Sequence, residues 1–405
     1  MSKILIIGNG FDLFHHLPTK YQHFMSVMKT IEDNKFNKEV SFDELFALKF
    51  KEDTKNDYQS IVDNYKVENI LFSNEKLDRI KEMLRDNLWY KYFSTILEIE
   101  TWIDFETEVE NVLKQLSILL QSETKQSKKV NYFRDISINY SDFNLFGIIE
   151  HKLEDKEVFS VTEKYLDKRK REIKSKDILS DLSNSFEEFI SIFNRYLVDI
   201  VSVFYLEKKQ HIFIPFELVN EIYTFNYTPS LERFYNIDKL KVVYLHGEIN
   251  EENSLQNIVL GIDEMPKNNN FSKMPDFTKY YQKIIKKSNK NFIEVPKAVG
   301  SHFNETIFYI IGHSLDESDK EYIIALFKFL EFDHDKYSKI CIFYYNKIDK
   351  ENKLKNILSI IEIDKKFVVE MNRTDRLYFV KLNTENMKNQ FSRETYKYEP
   401  YIGVF

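Results

Sequence analysis

Apolar positions along the chain fall into two kinds of run. Ile4-Leu5-Ile6-Ile7 is short, unbroken and ended by Gly8, the pattern of a strand buried on both faces. Leu13, Leu17, Tyr21, Phe24, Met25 and Met28 then recur at helical spacing and predict a helix over residues 12–29. Strand, glycine turn and helix make the first half of a parallel α/β unit.

From about residue 30 to residue 214 the pattern changes, with no alternation of strand, turn and helix. Residues 74–99 carry Leu77, Ile80, Met83, Leu84, Leu88 and Trp89; residues 105–121 carry Val109, Val112, Leu113, Leu116, Leu119 and Leu120. Residues 178–206 carry Leu179, Leu182, Phe186, Phe189, Ile190 and Phe193. These spacings predict amphipathic helices, with the Ser-, Lys- and Asn-rich stretch 122–145 as a loop.

Strand signals return after residue 215, at residues 222–226, 242–246, 306–312 and 339–344, most of them ending in a polar residue or glycine. The expected fold class is therefore α/β: a Rossmann-like parallel sheet flanked by helices, with a large helical insertion after the first βα unit. Residues 1–29 plus 215–405 are expected to form a split nucleotide-binding domain and residues 30–214 the mainly helical insertion.

Composition narrows this picture without redirecting it. The chain has 405 residues, and its net charge of −7 gives no global pull toward nucleic acid or anionic membrane. A single cysteine, Cys341, rules out an internal disulfide and a cysteine-built structural zinc site. Within Ile340-Cys341-Ile342-Phe343 it reads as a small apolar strand residue. Only four apolar residues precede Gly8, too few for a signal peptide, and Asp199 interrupts the stretch Leu197–Tyr205. A cytoplasmic protein with no membrane span is the expectation. Few glycines and prolines, 8 and 7, imply long helices and few tight hairpins.

Candidate chemistry gathers where the strands end. Gly8-Asn9-Gly10-Phe11 lets backbone amides approach a pyrophosphate at a helix start, although the third glycine of the dinucleotide fingerprint is missing. Asp12 would repel a phosphate, so it either caps the following helix or accepts a ribose hydroxyl. Thr224-Phe225-Asn226 closes the second strand; Asn226 either holds a ribose hydroxyl or water, or caps the helix after Pro229-Ser230. His246-Gly247 closes the third, and an imidazole is the usual mover of protons near neutral pH. Gly312-His313-Ser314-Leu315-Asp316 closes the fourth, where the amides, Ser314 and the acidic cluster Asp316-Glu317-Ser318-Asp319 meet an adenosine ribose or phosphate, or Asp316 or Ser318 caps a helix.

Gly8-Asn9-Gly10-Phe11-Asp12 through Leu17-Pro18-Thr19-Lys20-Tyr21 closely resembles the opening of the AbiH family of phage abortive-infection proteins. So do Trp102-Ile103-Asp104-Phe105-Glu106, Thr224-Phe225-Asn226-Tyr227, Leu245-His246-Gly247 and Gly312-His313-Ser314-Leu315-Asp316-Glu317-Ser318-Asp319, in that order. The departure is His16, where a glycine is common in the family; it is expected to narrow the space beside the turn.

The same blocks are similar to a distant SIR2 domain: the glycine turn with His16-Leu17-Pro18, Thr224-Phe225-Asn226, His246-Gly247 and Gly312-His313-Ser314-Leu315. Val259-Leu260-Gly261-Ile262-Asp263 resembles the short strand and glycine turn beside the nicotinamide pocket. The resemblance implies NAD as the ligand, Asn226 positioning the nicotinamide ribose or the attacking water, and His246 as general base. It also implies NAD cleavage rather than protein deacetylation, because deacetylating relatives carry a four-cysteine zinc module. Such an effector is expected to answer a phage-encoded trigger, alone or as a homo-oligomer.

Two further features carry competing readings. Trp102, Asp104 and Glu106 either dip into the pocket from the insertion, or serve as a core anchor and helix caps. Residues 163–176 are locally basic and read as a solvated helix face or a phosphate-backbone contact. The alternatives to an NAD-cleaving enzyme are thus a nucleotide-binding sensor without catalysis and a nuclease-type toxin using Asp104 and Glu106 on a divalent metal.

Overall fold

In the computed structural model, which describes residues 2–99, 104–125, 132–133, 138–152, 155–167, 172–263, 274–288, 290–293, 305–332 and 337–392, the chain divides into two compact units. The first comprises Met1–His15, Gln210–Leu245 and Lys290–Phe405; the second comprises His16–Lys209 and His246–Asn289.

The first unit is built on six strands: β1 (Ser2–Ile7), β2 (Glu221–Thr224), β3 (Val242–Tyr244), β4 (Thr306–Ile311), β5 (Lys339–Tyr344) and β6 (Leu377–Lys381). Every neighbouring pair is parallel, in the order β3-β2-β1-β4-β5-β6. This is the 3-2-1-4-5-6 order of the doubly wound dinucleotide-binding fold. Successive side chains leave a strand on opposite faces, so Ile4, Ile6, Phe308, Ile310, Ile340 and Ile342 join one core. Leu5, Ile7, Ile307, Tyr309, Cys341 and Phe343 join the other. Ile323, Leu326 and Leu330 of helix Lys320–Phe332 cover the first face, and Phe11, Phe216 and Phe391 the second. Both faces being covered explains why these strands read as unbroken apolar runs. Cys341 is a buried free thiol among them.

The expected helix over residues 12–29 is two helices, Gly10–Phe14 and Tyr21–Asp33. His16, with φ +63°, breaks the pattern. That left-handed backbone is one that favours glycine. β6 has no counterpart among the predicted strands; it is the edge strand of the sheet, where Tyr378, Phe379 and Val380 are only half-buried.

The second unit is mainly helical, with an aromatic core. Phe24, Trp89, Phe93, Phe105, Phe186 and Phe189 are all buried, and Trp89 Nε1 donates to the Leu182 carbonyl at 2.9 Å. Residues 74–99 form two helices, Asn74–Asp86 and Leu88–Ile99. Between them Asn87, fully buried, bonds the Ser185 carbonyl and the Tyr90 amide. Ser175–Leu206 is, among the described residues, the one span long and apolar enough to cross a membrane, and 67% of its apolar window is buried in protein. Short antiparallel ribbons, Val40–Ser41 with Leu71–Phe72 and Ile149–Lys152 with Asp155–Val161, were not predicted from the pattern. Within the basic stretch a turn at Glu163–Tyr165 and a ribbon pairing Leu166–Asp167 with Glu172–Ile173 replace the predicted helix face.

In the first unit the chain crosses from one side of β1 to the other between β3 and β4, which places the strand-order reversal between β1 and β4. Ligands in such sheets bind outside the carboxyl ends of the strands at this reversal. The two turns that leave β1 and β4 interlock there. Gly8 N donates to the Ile311 carbonyl at 3.0 Å and Gly10 N to the Gly312 carbonyl at 2.8 Å. A Cβ on Gly8 would lie 2.8 Å from His313 Cα, and one on Gly10 would lie 2.7 Å from Gly312 Cα. Gly312 has φ +71°, and its Cβ would lie 2.2 Å from Phe11 N. Gly312→Ala is therefore expected to lose about 2–5 kcal/mol, from about 1–2 kcal/mol for the left-handed backbone and about 1–3 kcal/mol for overpacking. Urea unfolding checks this, and a loss under about 1 kcal/mol contradicts the interlock.

Candidate functional site

At the carboxyl ends of β1 and β2 the first unit gathers a buried polar cluster. Asp12, in helix Gly10–Phe14, is 1% exposed, and Asn226, two residues past β2, is 4% exposed. Thr228 donates its hydroxyl to Asp12 Oδ2, and Ser230 donates to Thr228 at 3.3 Å. Asp12 Oδ1 has no hydrogen-bond partner, and neither does the amide oxygen or nitrogen of the Asn226 side chain. Buried polar atoms are rarely left this way.

The helix-capping readings of these two residues do not hold. Helix Gly10–Phe14 has Asn9 at its cap position and no side-chain cap, and helix Ser230–Tyr235 begins at Pro229, also without one. Asn226 is positioned instead by its backbone: its N–H donates to Thr224 Oγ1 at 3.0 Å, and Phe225 N donates to the Ile7 carbonyl at 2.9 Å. The side chain is thus fixed at its root and unengaged at its tip.

Burial pushes the Asp12 carboxyl up, from an ordinary 3.8 to about 6. The polar side chains of Ser230, Thr228 and Asn226 pull the other way, and the Glu232 carboxylate adds repulsion. Asn226 lies close enough to favour the ionised acid without making a hydrogen bond of ordinary geometry. Glu232 is itself held by the Tyr244 hydroxyl at 2.7 Å.

The second motif turn is tied into the protein. His313 Nδ1 accepts from Leu315 N at 2.9 Å, so its proton sits on Nε2, 3.2 Å from Asp319 Oδ2. Its ring meets Phe225 edge-on, with centroids 4.1 Å apart. Ser314 donates to Asp316, and Asp316 accepts from Ser318 N at 3.2 Å, capping the turn Glu317–Asp319. Phe11 is core, its ring 6.0 Å from Phe216 and 6.1 Å from Tyr235. The amides of Gly8, Gly10 and Phe11 all donate within the protein.

The remaining sequence-selected residues lie in the second unit, apart from Trp102, which falls outside the described residues. His246 is buried, and its carbonyl accepts from Val259 N at 2.8 Å. A Cβ on Gly247 would meet the Asn257 carbonyl at 1.9 Å, and one on Gly261 the Phe277 carbonyl at 2.3 Å. These bare backbones therefore serve packing. Residues 259–263 form no strand; Ile262 makes a single bridge to Thr278. Asp104 caps helix Phe105–Lys125 by accepting from Glu106 N and the Thr107 hydroxyl, each at 3.0 Å. Glu106 pairs with Lys279 at 2.9 Å, and the same ammonium reaches Asp263 at 3.4 Å. Among the described residues no group of three His, Cys, Asp or Glu could hold a metal ion. In the basic stretch, Lys164 pairs with Asp181 at 2.6 Å.

Several residues were missed by sequence reasoning. Thr228 and Ser230 stood two and four places beyond Asn226, the one signal that could have found them. Lys279 and Lys353 carried none. Lys353, buried, donates to the His313 carbonyl and pairs with Asp349 at 3.0 Å.

The Asp12 shift has a measurable consequence. The folded chain holds the proton up to about pH 6 while the unfolded chain releases it near 3.8, so folding takes up a proton between those values. Stability from this group is full below pH 3.8 and is lost as pH rises through 6. Asp12→Asn is expected to be more stable than the parent at pH 7 by up to roughly 3 kcal/mol, with the difference shrinking to nothing near pH 4. Denaturant midpoints across that range check this; a variant equally stable at all pH values contradicts the raised pKa.

A family model for bacteriophage abortive infection AbiH proteins matches residues 4–344. The match opens inside β1 and closes at the last residue of β5, so it contains the interlocked glycine turns, Asp12, Asn226 and His246. Comparison with curated proteins and with solved structures finds no match. The matched span covers most of the chain and every motif described above: this chain belongs to the AbiH family of bacteriophage abortive infection proteins.

Proposed function

We propose that the protein acts in abortive infection by binding NAD at the carboxyl edge of the six-stranded sheet and cleaving its nicotinamide glycosidic bond. One observation carries the reading: the Asn226 side chain, 4% exposed, leaves both of its polar atoms unpaired beside Asp12. An unpaired buried amide is destabilising by about 1–3 kcal/mol, and a ligand that pairs with it recovers that energy. The strand order and the SIR2-like succession of motifs favour a nucleotide.

In this reading the C1′–N bond breaks with its electron pair leaving on nicotinamide, and water captures the oxocarbenium-like ribose. Asn226 positions the ribose or that water. The SIR2-like resemblance gives His246 the proton of the water. The products are nicotinamide and ADP-ribose. A phage-encoded trigger would switch this activity on.

A nucleotide-binding sensor without turnover is the second reading. It is favoured by the engaged amides of Gly8, Gly10 and Phe11, which leave a pyrophosphate fewer donors than the glycine turn promised. The nuclease reading has no such support, because Asp104 caps a helix and Glu106 is paired with Lys279.

Purified protein incubated with NAD, with and without phage lysate, is expected to release nicotinamide. His246→Ala is expected to slow release by about 10²–10⁴-fold, and Asn226→Ala to weaken it comparably. Binding of NAD with no nicotinamide under either condition would select the sensor; cleavage unaffected by His246→Ala would remove the histidine from the mechanism.

A further inference from the structure

The proposed cleavage leaves Asp12 without a task. It is fully buried at the strand-order reversal, one carboxyl oxygen held by Thr228 and the other unpaired. Beside it stands an amide whose oxygen and nitrogen are also unpaired. Three hydrogen-bonding atoms in one buried cluster make no bond of ordinary geometry: two acceptors, Asp12 Oδ1 and Asn226 Oδ1, and one donor, Asn226 Nδ2, which lies near enough to Asp12 to favour its ionised form. A phosphate oxygen supplies only acceptors and would face the acceptor oxygens of both residues. A hydroxyl both donates and accepts, and a vicinal pair satisfies the set.

The geometry points to Asp12 as the acceptor of a ribose hydroxyl, with Asn226 completing a cradle for the vicinal diol of the nucleotide. This rests on the nucleotide reading above and adds to it which part of the ligand enters this cluster. The phosphates then lie elsewhere along the strand ends, in keeping with the Gly8, Gly10 and Phe11 amides being engaged within the protein. Thr228 and Ser230 become positioning residues, holding the acid through its other oxygen.

The assignment has a sign that can be read. Free Asp12 titrates near 6, raised chiefly by burial. The charged group facing it is Glu232 of helix Ser230–Tyr235, which the Tyr244 hydroxyl of β3 holds; Thr228, Ser230 and Asn226 are its neutral polar neighbours. A hydroxyl donated to the carboxylate favours the charged form and lowers the pKa, so binding at pH 6 releases a proton. A phosphate oxygen in the same place would require the protonated acid as donor, and binding would take a proton up.

The experiment is calorimetric titration of the full chain with ADP-ribose and with a carbocyclic NAD analogue that cannot be cleaved, whose use keeps the proton set free by hydrolysis out of the signal, at pH 6, in two buffers of different ionisation enthalpy. The expected result is release of up to about half a proton per ligand bound, fading toward pH 8. The isosteric Asp12→Asn is expected to bind with no such release. Release that persists in Asp12→Asn, proton uptake, or binding with no linked proton each overturns the diol assignment while leaving nucleotide binding standing. Failure of the parent protein to bind either ligand overturns both.

Discussion

The interlock of two glycine turns is the constraint on which the site depends. Gly8 and Gly10 leave β1, Gly312 leaves β4, and each stands where a Cβ on any of them would overlap the other turn's backbone. Two backbone hydrogen bonds between the turns close the contact. The glycines are needed for this packing whether or not a ligand is present, so their presence alone says little about phosphate. What the interlock does is fix the start of helix Gly10–Phe14, and with it the position of Asp12. Lys353 reinforces the second turn from beyond the family-matched span by holding the His313 carbonyl.

Against that rigid frame, the polar cluster at the ends of β1 and β2 is the place where the structure leaves hydrogen bonds unmade. Folding desolvates Asp12 and Asn226 without pairing their outer atoms. Perturbed acids and unsatisfied buried groups concentrate at functional sites because binding, not folding, completes them. The same desolvation raises the Asp12 pKa into the range where a ligand's hydrogen bond can move a proton. A cluster that weakens the empty fold is thereby suited to recognise what fills it.

The second unit handles its buried charge in the opposite way. Lys279, 2% exposed, sits between Glu106 and Asp263 and neutralises the carboxylates that looked, in sequence, like ligands or pocket residues. Buried ion pairs of this kind stabilise little in net terms, but removing one partner is severe because the other charge stays desolvated. Acidic residues in a recurring motif can therefore mark an architectural joint as readily as a reacting centre.

The sequence by itself determined the α/β class, five of the six strands, the strand-end placement of the motifs and the family. All of these follow from local apolar runs and short contiguous motifs, whose physics acts over a few residues. It left Asp12 and Asn226 each with two readings, and only tertiary structure removed the capping one, because capping depends on whether a backbone N–H lies within hydrogen-bond reach. The break at His16, the weak sixth strand and the Lys279 ion pairs were likewise decided there. A left-handed backbone angle, a half-buried strand edge and a charge partner more than a hundred and fifty residues distant from Glu106 leave no local periodicity to read. The glycine turn changed meaning for the same reason: its missing side chains answer to a second turn some three hundred residues further along the chain.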